Sequence, residues 1–352
     1  MPLIHGGDVE GFLRQFGQQP LDFSANVSPL GLPEGVRQAV TACLDSADAY
    51  PDPLCRSLCQ AIAAHEDKLP EQVVCGNGAA DLIYRLVCAL RPKSALLPAP
   101  CFAEYEHALR LNDCEIVRYP LSPATGFALT EDFLNAITPP LDILFLCQPN
   151  NPTGLLCERP LLLSILERCR ACGTTLVVDE CFVEFLDQPE DYSLSDKLAD
   201  YDRLFILKAF TKLYAMAGLR LGYGLCASPS LIARVWGSGQ PWAVSSTAQA
   251  AGIAALRETE YVARVKRLLE QEKPYLLREL EGAGLTCLGS AANYIFFHST
   301  DFLLHKKLRE AGIMIRDCSN YAGLSPGYYR IAVRTHEENQ QLISAIRSIA
   351  TR

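Results

Sequence analysis

Leu204-Phe-Ile-Leu-Lys208-Ala-Phe-Thr-Lys212-Leu-Tyr-Ala-Met-Ala-Gly218-Leu-Arg220-Leu-Gly222-Tyr223 decides how the rest of this chain is read. It opens with an apolar run of strand length, which empties into a loop carrying a second lysine and an arginine. A lysine just past a buried strand can be desolvated, and a desolvated amine is a nucleophile toward an aldehyde. Arg220, eight residues beyond Lys212, is placed to neutralise a phosphate. Standing alone, the segment reads equally well as a solvated lysine beside a loop arginine.

It does not stand alone. Apolar runs at 94–97, 141–147 and 174–178 precede it, with helix-like stretches such as 161–171 between them. Strands alternating with helices predict βαβ units and a mostly parallel sheet covered on both faces. Ligands gather at the carboxyl ends of such strands. Val178-Asp179-Glu180 puts a carboxylate at one of those ends, where it can hold a protonated pyridine nitrogen. Asn151, in Asn150-Asn151-Pro152-Thr153-Gly154, can donate to a ring hydroxyl oxygen. Gly76-Asn77-Gly78-Ala79-Ala80-Asp81 leads into an apolar helix and offers small residues and free backbone N–H groups to a phosphate. Phe102 is placed to stack on a ring. Any one of these features carries little weight. Together, in this order, they point to a cofactor with an aldehyde, a pyridine ring and a phosphate, which is pyridoxal 5'-phosphate (PLP).

The bulk numbers bound the function. At 352 residues the chain can build a large core and a second lobe, and 49% apolar with 20% charged residues is ordinary globular composition. A net charge of −8 argues against a nucleic-acid surface, while a few buried arginines can still create a positive field for a small anion. The opening MPLIHGGDVEG has neither a basic n-region nor an apolar h-region, and no run of eighteen apolar residues occurs. The expectation is a cytoplasmic chain without a membrane span. The fifteen scattered cysteines read as free thiols of a reducing compartment. Cys169 and Cys172 have redox-motif spacing but sit in a helix-like stretch, and no second pair stands at zinc-finger spacing, so no metal site is expected. Past 247 the pattern changes to a charged helical stretch at 258–281, strand-like pieces at 294–297 and 329–333, and a terminal helix from His336. The expected division is an N-terminal arm at 1–35 that contributes to the active site, a large PLP-binding domain at 36–246 and a small C-terminal α/β domain at 247–352.

On these motifs the chain resembles the fold-type-I PLP enzymes of the aspartate aminotransferase superfamily over almost its entire length. The resemblance implies an α/β fold, with a large domain built on a mostly parallel central sheet flanked by helices and a smaller C-terminal α/β domain. It gives Lys212 as the Schiff-base lysine, Asp179 as the pyridine partner and Asn151 as the ring-hydroxyl partner. Gly78, Ala79, Ala80 and Arg220 would hold the cofactor phosphate, Phe102 would stack on the ring, and Arg330 would bind a substrate anion. Lys208 competes with Lys212, but only Lys212 has the family distance to Gly218-Leu-Arg220. Where the family usually carries a hydroxyl three residues before the lysine, this chain has Ala209, which removes one phosphate contact; Thr211 is the candidate replacement. Tyr50, in Tyr50-Pro-Asp-Pro53, matches a tyrosine that family dimers send to the neighbouring subunit's cofactor phosphate, so the resemblance also implies a two-fold homodimer.

Two subfamilies come into question, the histidinol-phosphate aminotransferases and the L-threonine-O-3-phosphate decarboxylases of cobalamin biosynthesis. Four features resemble the decarboxylases: His5-Gly6-Gly7 with the later Asp22-Phe23-Ser24-Ala25-Asn26-Val27-Ser28-Pro29-Leu30-Gly31, Phe182 where aminotransferases usually place a tyrosine, Pro241-Trp242-Ala243-Val244, and the run from Ile315-Arg316 through Asn320-Tyr321 to Arg330 and Arg334. Ser28 stands where asparagine is more usual. On PLP, the substrate bond held perpendicular to the ring is the one that breaks. A transaminase places Cα–H there and a decarboxylase places the carboxylate there, so the anion ligands choose the reaction. His5, Asn26, Arg316 and Arg330 are expected to hold the phosphate and carboxylate of a small phosphorylated amino acid; which arginine takes which anion stays open. So does threonine phosphate against serine phosphate, which differ by one methyl group worth about 1–3 kcal/mol. The expected reaction is PLP-dependent decarboxylation of L-threonine O-3-phosphate to aminopropanol phosphate, with transamination of histidinol phosphate or a related amino acid as the alternative. A non-catalytic binder of the same fold is a third reading, disfavoured by the lysine, aspartate and asparagine in their chemical positions.

Overall fold

The computed structural model describes residues 5–350; the first four residues of the expected arm lie outside them. The strands of the first two thirds of the chain are β1 (Leu21–Asp22), β2 (Val73–Gly76), β3 (Ser94–Ala99), β4 (Glu115–Pro120), β5 (Ile143–Cys147), β6 (Thr175–Asp179), β7 (Leu204–Ala209) and β8 (Gly222–Leu225). After them come β9 (Thr286–Gly289), β10 (Tyr294–His298), β11 (Ile313–Met314), β12 (Arg316–Asp317) and β13 (Tyr328–Ala332). Seven strands form the large sheet in the order β2-β8-β7-β6-β5-β3-β4, parallel from β7 through β4, with β8 antiparallel to both neighbours.

This sheet is buried because its strands are apolar on both faces: β5 reads Ile-Leu-Phe-Leu-Cys and β6 reads Thr-Leu-Val-Val-Asp, every residue of both buried. Alternate side chains serve opposite layers. Phe145, Val177, Phe205 and Leu207 pack against Leu82, Ile83 and Leu86 of the helix Ala79–Leu90 and against Leu231 and Val235 of Pro229–Gly237. Leu144, Leu176, Val178 and Ile206 face Leu162, Ile165 and Leu166 of the helix Arg159–Cys172. Each such side chain contributes about 1.5–3 kcal/mol on burial. Register then sets the chemistry. Asp179 pairs with Cys147 on one side and Leu207 on the other, so the carboxyl ends of β5, β6 and β7 finish in one row. Gly222 extends that row by pairing with both Ala209 and Gly76.

A second, antiparallel sheet in the order β12-β13-β10-β9 forms the smaller part with the helices Thr259–Gly282 and His336–Ala350. The arm is built into this part. Its helix Val9–Phe16 buries Phe12, β1 pairs in parallel with β11, and Phe23, fully buried, exchanges backbone hydrogen bonds with Met314 and Ala332. The helix Ser246–Ala255 begins at the division expected near 247, yet it packs on the large-part helices Glu34–Cys43 and Arg56–Glu66. Gly252 makes this possible, with Leu58 and Leu221 against it. Residues 256–258 join Ser246–Ala255 to the helix Thr259–Gly282. All fifteen cysteines are free thiols, and among the described residues no helix is long and apolar enough to cross a membrane.

Candidate active site

A cavity of about 390 Å³ opens where β3, β5, β6 and β7 end. Lys212 reaches it from the single-turn helix Phe210–Leu213 that follows β7, its backbone carbonyl fixed by the N–H of Ser28 at 2.9 Å. Burial, then the positive charge of Arg330 and more weakly of Arg220, pushes the Lys212 amine down to about 8, with Cys181 and Asp179 opposing only in part. Lys208 has the opposite surroundings. Its Nζ donates to Glu66 at 3.0 Å and to Glu184 at 2.9 Å. Burial works against its charge, but the two carboxylates outweigh it and hold the ammonium above its ordinary value. Lys212 is thus the amine with a neutral fraction near pH 7.

Asp179, at the end of β6, is 6% exposed. One of its oxygens accepts the N–H of Cys181 at 3.1 Å and the other accepts the hydroxyl of Tyr105 at 2.5 Å. Asn151 lies beside it after β5, its Oδ1 accepting from Nη1 of Arg330, so the amide N–H₂ is the end left to serve a ligand. Arg330 comes from β13 of the small sheet; its Nη2 donates to the Ser24 carbonyl at 2.9 Å and its guanidinium lies over the Tyr294 ring. Phe182 packs edge-on against the same ring, 5.1 Å between centroids, and lines the cavity. Ala79, Ala80 and Thr211 line it too, and Phe102 forms a wall. Arg220 adopts a left-handed φ of +58° that brings its guanidinium against Gly78: a Cβ there would lie 2.5 Å from it. Gly222 is pressed backbone to backbone on the start of the Ala79 helix, where a Cβ would come 2.4 Å from the Ala79 nitrogen.

From the arm come His5, Gly6, Ser24, Ala25 and Asn26, and from β12 comes Arg316, which donates to Asn320 at 2.8 Å and lies over the Tyr321 ring. The structure therefore brings Lys212, Asp179, Asn151, Arg220, Thr211, Ala79, Ala80, Phe102, His5, Asn26, Arg316 and Arg330 to one cavity, with Gly78 touching it through Arg220. Tyr50 is not brought there; it is 82% exposed and stacked on Trp242. Arg334 stays outside, bound to the Asp22 carbonyl and Glu338. Sequence reasoning passed over Tyr105, Glu104 and Tyr321. Tyr105 looks like core and is core, fully buried and stacked on Phe145, and nothing in its spacing tells that its hydroxyl reaches a carboxylate.

The residues fit PLP. Arg330 Nε and Asn26 Oδ1 are buried without a hydrogen-bond partner among the described residues, and both side chains line the cavity. Buried polar atoms left orphaned cost about 1–3 kcal/mol each, which an anionic group would relieve at Arg330 Nε and an N–H or O–H donor at Asn26 Oδ1.

Residues 18–346 match the model of the family described as aminotransferase class I and II. The chain belongs to that family. Among class I and II aminotransferase relatives, it is 38% identical to the threonine-phosphate decarboxylase of Salmonella typhimurium, over 99% of this chain and 96% of that one. Two solved family structures, each 26% identical, cover 94% of this chain and 99% of their own. They are a histidinol-phosphate aminotransferase from Clostridium acetobutylicum (TM-score 0.88) and an L-threonine-O-3-phosphate decarboxylase from Porphyromonas gingivalis (TM-score 0.81).

Proposed function

We propose that this chain is a PLP-dependent carboxy-lyase that converts L-threonine O-3-phosphate into aminopropanol phosphate and CO2. The carrying observation is the convergence of Arg316, Arg330, His5 and Asn26 on the cavity that holds the low-pKa Lys212, in a chain whose 38% identical relative bears that activity. Cytoplasmic location and a role in cobalamin biosynthesis belong to the same reading.

The cofactor's place follows from the chain's own groups. Lys212 would hold its carbonyl carbon, Asp179 its ring nitrogen, Asn151 its ring oxygen and Phe102 its face. Its phosphate would meet Arg220, Thr211 and the backbone of Gly78, Ala79 and Ala80. When bound, PLP supplies an electron sink for the bond that breaks at Cα. Tyr105 and the Cys181 N–H each hold one Asp179 oxygen and so fix the side chain where it would meet the ring nitrogen.

Arg316 and Arg330, with His5 and Asn26, would bind the substrate's phosphate and carboxylate and fix the orientation of Cα, so that the C–COO⁻ bond is the one presented for cleavage. Ile83, Phe102 and Phe182 give apolar walls that keep water from the reacting carbon. Lys212 then returns one proton to Cα from Nζ, which balances the reaction: carboxylate plus proton gives CO2 and a C–H bond. Phe182 brings no hydroxyl to the ring, where aminotransferases usually have one.

The active unit is a homodimer. Tyr50 and Trp242, with Leu44 and Leu54, leave large apolar side chains on the surface, which suits cover by a second copy. Mass spectrometry of CO2 and aminopropanol phosphate from L-threonine O-3-phosphate tests the reaction, beside histidinol phosphate with 2-oxoglutarate. CO2 from the first and no glutamate from the second is the expected result. Glutamate without CO2 would make the chain a transaminase.

A further inference from the structure

Glu104 projects from the first turn of the helix Ala103–Arg110 into the cavity mouth, where a carboxylate would repel an anionic substrate unless something else occupied it. Two residues from other elements do. His5 Nε2 lies 2.6 Å from Glu104 Oε1, and the Tyr84 hydroxyl, which is 3.0 Å from His107 Nδ1, donates to Oε2. Burial raises the Glu104 carboxyl, but the bonds from Tyr84 and His5 outweigh it and hold the group below the usual carboxylate range. The His5 ring also packs on Phe102, 5.7 Å between centroids, just before the same helix. The chain behind His5 is shaped to deliver it. Gly7 takes a φ of +85°, and Gly6 passes so close to Ser24 that a Cβ would sit 2.4 Å from its carbonyl oxygen.

We propose that Glu104, braced by Tyr84, is a positioning residue that latches the N-terminal arm across the mouth of the cavity by holding His5. This rests on the reading of His5 as a substrate ligand. A hydrogen bond to one imidazole nitrogen fixes the orientation of the ring and the role of the other nitrogen. Here it also ties together three segments, the arm, the helix Ala79–Leu90 through Tyr84 and the helix Ala103–Arg110. Both carboxylate oxygens are taken up by the latch, so the mouth presents His5 to the incoming phosphate.

The test uses the PLP-loaded protein and its Glu104→Gln, Tyr84→Phe and Gly6→Ala variants, with two readouts. Amide hydrogen exchange over residues 5–16, read by mass spectrometry, needs no turnover. It is expected to accelerate about threefold or more in Glu104→Gln and in Gly6→Ala, and less in Tyr84→Phe. In steady-state assays with L-threonine O-3-phosphate, Glu104→Gln is expected to raise KM about tenfold and leave kcat within about twofold, the signature of lost binding rather than lost chemistry. Exchange at the wild-type rate in Glu104→Gln and Gly6→Ala, or a fall in kcat with KM unmoved, would overturn the latch. A wild-type enzyme that releases no CO2 would overturn the substrate reading, and the exchange data would still decide the latch.

Discussion

Lys208 and Lys212 stand four residues apart and meet opposite fates, because one faces carboxylates and the other faces arginines. That contrast can be tested at each lysine. In the cofactor-free protein trace acetic anhydride will acetylate Lys212 at a rate, corrected for hydrolysis of the reagent, that rises with pH and levels off just above about 8, since burial keeps the amine neutral from there upward. Peptide mapping checks it. A rate still climbing through the range of an ordinary lysine, about 10.4, would contradict it. Lys208→Ala will destabilise the fold by about 3–5 kcal/mol, because it strands Glu66 in the interior without its partner. Lys212→Ala will leave the melting temperature of the cofactor-free chain unchanged or higher, since it removes a buried amine whose charge burial disfavours and which has no hydrogen-bond partner among the described residues. At this scale the sequence was most legible where strand ends carry chemistry: Lys212, Asp179 and Asn151 share a cavity as their motifs implied. Tyr105 and Glu104 were not legible. Both depend on where a side chain ends in space, and their letters match ordinary core and ordinary helix surface.

Among the elements, the row formed by the ends of β5, β6 and β7 is legible in advance because buried parallel strands are short apolar runs and ligands collect at their carboxyl ends. The arm was harder. A two-residue strand pairing with β11, far along the chain, leaves no periodicity to read, and its attachment to the small sheet rests on Phe12 and Phe23 finding pockets. The helix Ser246–Ala255 misleads in another way: it is rich in alanine, and only its neighbours decide which part it joins. Close packing supplies the prediction here. Gly222→Ala would force β8 away from the Ala79 nitrogen, which cannot yield as a flexible side chain would. Stability should fall by about 1–3 kcal/mol, and cofactor titration should show weaker PLP binding at the same time. A variant that loses stability but binds PLP as well as the parent would detach β8 from the phosphate cradle.

For the whole molecule, an acidic chain of net charge −8 carries a cavity lined by Arg220, Arg316 and Arg330, so its positive field for a small anion is local. The exposed Tyr50 makes sense if it serves a second copy. Mixing Lys212→Ala with Tyr50→Ala subunits should therefore restore activity that neither variant has at full level, since one hybrid site then holds both intact residues. No gain on mixing would place Tyr50 in its own subunit's function or in none. In the proposed reaction the anion ligands set the carboxylate, and not the hydrogen, in the breaking position. Its most direct test is turnover of L-threonine O-3-phosphate in deuterium oxide, with the product read by mass spectrometry and NMR. The account predicts CO2 release and one solvent deuterium at the carbon that bore the carboxylate, with that carbon's original hydrogen retained. Washout of the Cα hydrogen into solvent with the carboxylate still in place would contradict it.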